Sequence, residues 1–222
     1  MPQLLKSTLL IITALFPIVN PLGSAPIFLT LTNYYTEDER RILSWRIAVN
    51  SFLLLVTSYF IGTHILAFFG ISLPVVQVGG GLVVATTGWA ILTQRDDEGP
   101  ASKDVNSSPD LHDLFQKAFY PLTLPLTVGP GSISVAITLG ANEPHGTDRL
   151  LMSVVGAVIG SFVIALSVYL CYAFADRLAR ALGATSMSVI MRLSAFLLVC
   201  IGVQIIWNGT SELLRGLLEA HR

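Results

Sequence analysis

Between Lys6 and Glu37 the chain carries no charged side chain, yet Phe16-Pro-Ile-Val-Asn-Pro-Leu-Gly-Ser-Ala-Pro-Ile-Phe28 sets three prolines and a glycine inside that run. An apolar stretch of this length reads as a membrane span, and a span should be a smooth helix. Each interior proline removes a backbone hydrogen bond and costs about 3 kcal/mol in an ordinary helix. Asn20 adds a polar amide at the same depth. Broken backbone in a bilayer survives only where protein or a water-filled cavity satisfies it. The stretch is therefore more than an anchor.

The arrangement returns 104 residues later, where Tyr120-Pro121-x-x-Leu124-Pro125-Leu126 lines up with Phe16-Pro17-x-x-Asn20-Pro21-Leu22, and Pro130 falls on Pro26. Two proline-interrupted hydrophobic segments at matching places in two halves point to a transporter binding site. The rival reading of residues 1–25 is a cleaved secretory leader, with Lys6, an apolar run and Gly-Ser-Ala. The prolines inside that run and the second copy in mid-chain argue against cleavage.

Charged residues make up 12% of the chain and hydrophobic ones 53%, against about 25% charged in soluble domains, so the expected class is an all-α integral membrane protein. Net charge is −1 with no basic cluster, which leaves nucleic acid without an electrostatic foothold. Cys171 and Cys200 both lie in apolar runs and read as small buried hydrophobes rather than a disulfide or metal pair.

Six spans of about 20 residues can be placed. Span one is 7–32. A polar connection follows, and Thr36 with Glu39 forms a capping-box pattern that starts the next helix. From Ile47 to Gln94 there is no Asp, Glu, Lys or Arg; Gly70-Ile-Ser-Leu-Pro74 divides this run into span two, 47–68, and span three, 75–93, expected as an antiparallel hairpin. Residues 95–117 are a hydrophilic linker. Span four, 118–141, holds the second proline motif and ends it in Thr127-Val-Gly-Pro-Gly-Ser132. Span five is 150–175, residues 176–192 form a basic connection, span six is 193–211, and the tail is amphipathic. Gly79-Gly80-Gly81, Gly88, Gly156 and Gly160 are read chiefly as places where helices approach closely.

Leu82-Val-Val-Ala85 also matches Leu197-Leu-Val-Cys200 at an offset of 115, which supports two three-span halves, 1–94 and 118–222. An odd number of spans per half inverts the second against the first, giving two inverted three-helix repeats, each with a proline-broken first helix. Nine of the 13 Lys and Arg residues lie after spans one, three and five, so that face is expected to be cytoplasmic, with both termini outside.

A helix that restarts after a break offers free N–H groups and the positive end of its dipole, an anion site without a basic residue. Gly129-Pro130-Gly131-Ser132 suits such a restart, since proline fits the first helical position. Thr127 and Ser132 add hydroxyls. Asn20-Pro21 is the counterpart in the first half, and the Asn20 amide can cap a helix or meet a ligand. A small zwitterion would match N–H groups at one break and freed carbonyls at the other. The competing reading makes the prolines packing kinks and Asn20 an internal cap. No Asp or Glu lies inside a span, so any coupling to protons or sodium would fall to carbonyls and hydroxyls. His64 reads as an interfacial residue and Arg192 as a snorkelling anchor. No Cys/His ligand spacing, nucleophile elbow or phosphate loop is present, so neither an enzyme, a metal nor a cofactor is expected.

Asn20-Pro21-x-Gly23-x-x-Pro26-x-Phe28, Gly79-Gly80-Gly81-Leu82, Pro125-Leu126-x-x-Gly129-Pro130-Gly131-Ser132-Ile133 and Arg192-Leu193-x-x-Phe196-Leu197-Leu198-Val199-Cys200-x-Gly202-Val203-Gln204 together resemble the MarC family, over nearly the whole chain. The resemblance implies a six-span bacterial or archaeal inner-membrane protein, similar in architecture to the lysine-exporter superfamily. Some relatives in that family are classed as neutral amino acid transporters or exporters. Carried over residue by residue, it places the site on Asn20, Pro21, Gly23, Pro26, Gly129, Pro130, Gly131 and Ser132; Thr127 joins them from its position. Leu124 stands where the first half has Asn20, so the site is not expected to be two-fold. The sequence thus points to a transporter or exporter of small neutral solutes, foremost alanine, glycine, serine or threonine. The alternatives are a transporter or flippase for an amphiphilic lipid or drug-like molecule, and a non-transporting membrane scaffold. The expected partners are that solute and the lipid bilayer, with no nucleic acid; a homo-oligomer stays open.

Overall fold

The structure is a computed structural model and describes residues 2–93, 116–142 and 147–220. These are 92% helical, and no strand occurs among the described residues. Helix α1 (Pro2–Val19) is followed after one residue by α2 (Pro21–Leu31). Then come α3 (Glu37–Phe68), α4 (Leu73–Thr93), an irregular segment α5 (Ala118–Thr127), α6 (Pro130–Ala141), α7 (Thr147–Ala173) and α8 (Ala175–Ala220). Five stretches are long and apolar enough to cross a bilayer, and a sixth is counted if α5 and α6, bent by 69° against each other, make one span. Most of their apolar side chains face outward, Leu53, Phe162, Val203 and Trp207 among them. In water that would be a large exposed apolar surface; in lipid it is the solvated one.

The helix ends follow from local chemistry. Thr36 and Glu39 form the expected capping box, with the Thr36 N–H donating to Glu39 Oε2 at 2.8 Å and the Glu39 N–H to Thr36 Oγ1 at 3.3 Å. Gly70, at φ +67°, turns the chain between α3 and α4, where a side chain would be strained. Both features were legible in the sequence.

Glycines set the packing of α4. A Cβ on Gly81 would meet the backbone of Gly202 and Ile206, and one on Gly88 the backbone of Ala195 and Val199, so α4 lies directly on α8. Gly156 and Gly160 admit Ser7, Thr8 and Ile11 in the same way, seating α7 on α1. The packing role expected for these glycines is what the structure shows, except that Gly79 meets nothing. The core lies between α1–α2, α3, α5–α6 and α7, around Leu15, Phe28, Leu43, Leu55, Ile164 and Tyr172.

Three expectations need correction. Helices α3 and α4 are joined by a short turn but do not pack as a hairpin; α3 lies on α7 and α6, and α4 on α8 and α6, because the glycine face of α4 fits only a helix that can come equally close. Residues 176–192 are helical, interrupted only at Gly183 (φ +75°, ψ 164°). Cys200 is exposed on the outer surface of α8 rather than buried, and only Cys171 is half-buried. Residues 95–115 of the linker lie outside the described residues, and Gln116 and Lys117 are helical. The tail beyond Ser211 is exposed on every side through Glu219.

Candidate functional site

Asn20 makes the first break. It takes the left-handed conformation (φ 46°, ψ 59°), which Asn tolerates better than most residues. Its Oδ1 accepts the Gly23 N–H at 3.2 Å, and its carbonyl accepts the Ser24 N–H at 3.0 Å and the Ser24 hydroxyl at 2.7 Å. Pro21 occupies the first position of α2 and has no N–H to return to the Pro17 carbonyl. The Gly23 N–H that would reach the Val19 carbonyl goes to the Asn20 side chain instead. The last carbonyls of α1 thus lose their usual helical partners, while the Asn20 Nδ2 has no hydrogen bond among the described residues. Gly23 is required here, since a Cβ would collide with the Asn20 amide and lie 2.7 Å from Ser194 Cβ on α8.

The second break is longer. Tyr120 (φ −126°, ψ 123°) and Leu124 (φ −105°, ψ 124°) are extended, as residues before proline tend to be, and both following peptide bonds are cis. The turns of α5 are widened, and the last is closed by the Val128 N–H reaching the Thr123 carbonyl at 2.9 Å. Helix α6 then restarts with Gly129 as its cap and Pro130 in its first position. No side chain caps it, so the Gly131 and Ser132 N–H groups of its first turn have no side-chain acceptor. The Ser132 hydroxyl donates back to the Gly129 carbonyl at 2.9 Å.

Both breaks border one cavity of about 330 Å³, lined from α1, α2, α4, α5, α6 and α8. Of the nine site residues read from the sequence, Asn20, Gly23, Thr127, Gly129, Pro130, Gly131 and Ser132 line it. Pro21 and Pro26 do not; they shape α2 from within. Gly131 also packs, since a Cβ there would overlap the Val84 side chain. The repeat register seen in the sequence pairs Pro21 with Pro125, but the helix restarts are at Pro21 and Pro130. The proline spacing repeats, while the restart moves to where Gly129 allows it.

Sequence reasoning missed Tyr172. It is buried in α7, stacks on Phe28 at 4.6 Å with an 11° angle between rings, and its hydroxyl lies 2.9 Å from Thr127 Oγ1. Through that stack and that hydroxyl, Tyr172 touches both α2 and α5. An aromatic hydroxyl inside the apolar run of span five was the only available signal. The walls contributed by α4 and α8, including Val83, Thr87, Met191 and Leu198, carried no signal at all. His64 is exposed, and among the described residues no three His, Cys, Asp or Glu side chains come together.

A polar cluster closes one end of the helices. Arg40 donates to Asp176 at 3.1–3.2 Å and to the Thr32 carbonyl at 3.3 Å. Arg180 lies 3.8 Å from Glu37, and Lys117 sits 5.6 Å above the Tyr34 ring. The connection after α2, the start of α5 and the α7–α8 junction thus meet at the same end.

The chain matches the profile of "MarC family integral membrane protein" over residues 5–214. It is 32% identical over 220 residues to the inner membrane protein MarC of Salmonella typhimurium, covering 97% of this chain and 99% of that protein. The inner membrane proteins MarC of Citrobacter koseri and Escherichia coli are 33% and 31% identical at the same coverage. No solved structure matches it. With its all-helical, membrane-length architecture and full-length matches to inner-membrane relatives, the chain belongs to the MarC family of integral membrane proteins.

Proposed function

We propose that this protein is a six-span secondary carrier for small neutral solutes, with small neutral amino acids as the leading class. One observation carries the reading: two broken helices turn opposite ends toward one cavity. The uncapped first turn of α6 offers N–H groups and a positive dipole end to a carboxylate. The last carbonyls of α1, left without helical partners at Asn20, offer acceptors to an ammonium. The volume, about 330 Å³, lies at the small end of the roughly 300–1,000 Å³ range of ligand pockets.

The proposed architecture is a pair of inverted three-span repeats. Its support is the pairing of helices: α1 packs on α7 and α3 on α5–α6, a pattern that survives exchange of the halves, and α4–α8 maps onto itself. The meeting of Tyr34, Lys117 and Asp176 at one end supports grouping the connections after spans one, three and five on one face. By their Lys and Arg content that face is cytoplasmic and both termini lie outside.

The aliphatic lining favours a second reading, a carrier for an amphiphile. Thermal stability of the purified protein with small amino acids separates the two. A ligand that binds only the folded state adds about 2.7 kcal/mol at a hundredfold excess over its Kd. Stabilisation by a neutral amino acid supports the first reading. Stabilisation by short-chain lipid alone supports the second, and none by either supports a packing scaffold.

A further inference from the structure

We infer that the cavity selects amino acids with branched apolar side chains, of the valine, leucine and isoleucine kind, over glycine, alanine, serine and threonine. The inference rests on the carrier reading and, within the neutral amino acids, moves the preference from the small members to the branched apolar ones. Once the two broken helix ends are assigned to the carboxylate and ammonium, the rest of the cavity must receive the side chain. That remainder is walled by Ile18, Ile27, Leu31, Val83, Ile91 and Leu198, drawn from α1, α2, α4 and α8.

The hydroxyls among these walls are turned away from a ligand. Thr87 Oγ1 donates to the Val83 carbonyl at 2.7 Å, and Ser24 Oγ to the Asn20 carbonyl at 2.7 Å. Thr127 Oγ1 lies 2.7 Å from the Leu122 carbonyl and is shared with Tyr172, and Ser132 Oγ donates to Gly129. A solute hydroxyl would meet wall hydroxyls that have already given their proton to a neighbour and can only accept, and the uncommitted Asn20 Nδ2 lies at the α1 break, away from the aliphatic walls. A polar group desolvated without full compensation loses affinity, and an apolar one gains it. Among the described residues no charged side chain lines the cavity, which gives acidic and basic side chains no partner there.

Each further buried methylene strengthens binding by about fourfold. Leucine carries three more side-chain carbons than alanine, so a preference of at least about tenfold is expected even if burial is incomplete. The space allows it, because glycine or alanine would leave much of a cavity of about 330 Å³ unfilled.

The test is a binding titration of the full chain in nanodiscs with glycine, alanine, serine, threonine, valine, leucine and isoleucine. The expected result is leucine or isoleucine binding at least about tenfold tighter than alanine, with serine and threonine weaker than valine. Ile27→Thr and Ile91→Thr, each made singly on a half-buried wall position, should reduce the leucine-to-alanine affinity ratio at least about threefold. Alanine, glycine or serine binding as tightly as leucine would overturn the side-chain class and leave the carrier reading standing. Absence of binding by every amino acid would overturn both. Equal binding of 4-methylpentanoate and leucine would remove the ammonium contact from the carrier reading while leaving the apolar class in place.

Discussion

Asn20 has two duties that a substitution can separate. It holds a left-handed backbone, and its amide both caps α2 and borders the cavity. Asn20→Gly keeps the backbone conformation and deletes only the amide, so it should cost a few tenths of a kcal/mol in stability. Asn20→Ala adds left-handed strain and should cost about 1–2 kcal/mol, read as a lower melting temperature. Both should lose ligand binding, and a binding-competent Asn20→Gly would reduce the amide to a cap. Tyr172→Phe keeps the stack on Phe28 but leaves the Thr127 hydroxyl without the phenol. It should destabilise by about 1–2 kcal/mol and speed amide exchange near Val128, beside Thr127, more than near Ser24. Unchanged exchange near Val128 would show that the Tyr172 hydroxyl does not hold the second break. The sequence marked Asn20 because a polar residue beside proline at membrane depth has few explanations. It could not mark Tyr172, whose role depends on which helix faces it.

At the scale of elements, the all-helical membrane class, the two proline breaks, the capping box at Thr36 and the turn at Gly70 were all legible. Each is written in the chemistry of a few neighbouring residues. The pairing of elements was not. The glycines of α4 announced a close contact but did not name α8 as its partner, and the short α3–α4 turn wrongly suggested a hairpin. The register of the repeat was also misleading, because proline spacing is preserved while the helix restart depends on Gly129. Gly202 provides a direct test of the α4–α8 seam. A Cβ there would lie 2.5 Å from the Ala85 nitrogen and 2.7 Å from the Gly81 carbonyl, backbone atoms that cannot swing aside. Gly202→Val should destabilise by about 1–3 kcal/mol, whereas Gly79→Val, facing open space, should be close to neutral. Equal effects at the two positions would contradict the seam.

Across the whole molecule, the charged cluster joins the halves at one end. The Arg40 side chain is 14% exposed and that of Asp176 31%. Asp176→Asn should cost about 2 kcal/mol, less than the 3–5 kcal/mol of a fully buried pair because water still reaches the carboxylate. Adding Arg40→Gln should recover part of that loss, since the orphaned charge is then gone. A double variant less stable than Asp176→Asn alone would mean that Arg40 contributes chiefly through the Thr32 carbonyl.

The most direct measurement for a carrier built on two opposed helix breaks is counterflow of labelled alanine and leucine into proteoliposomes, with wild-type protein and Asn20→Gly compared at equal insertion. Saturable flux in the wild type, lost in Asn20→Gly while its melting temperature stays within a few degrees, is the predicted result. Wild-type protein that carries neither amino acid, or Asn20→Gly that carries them equally well, would contradict it.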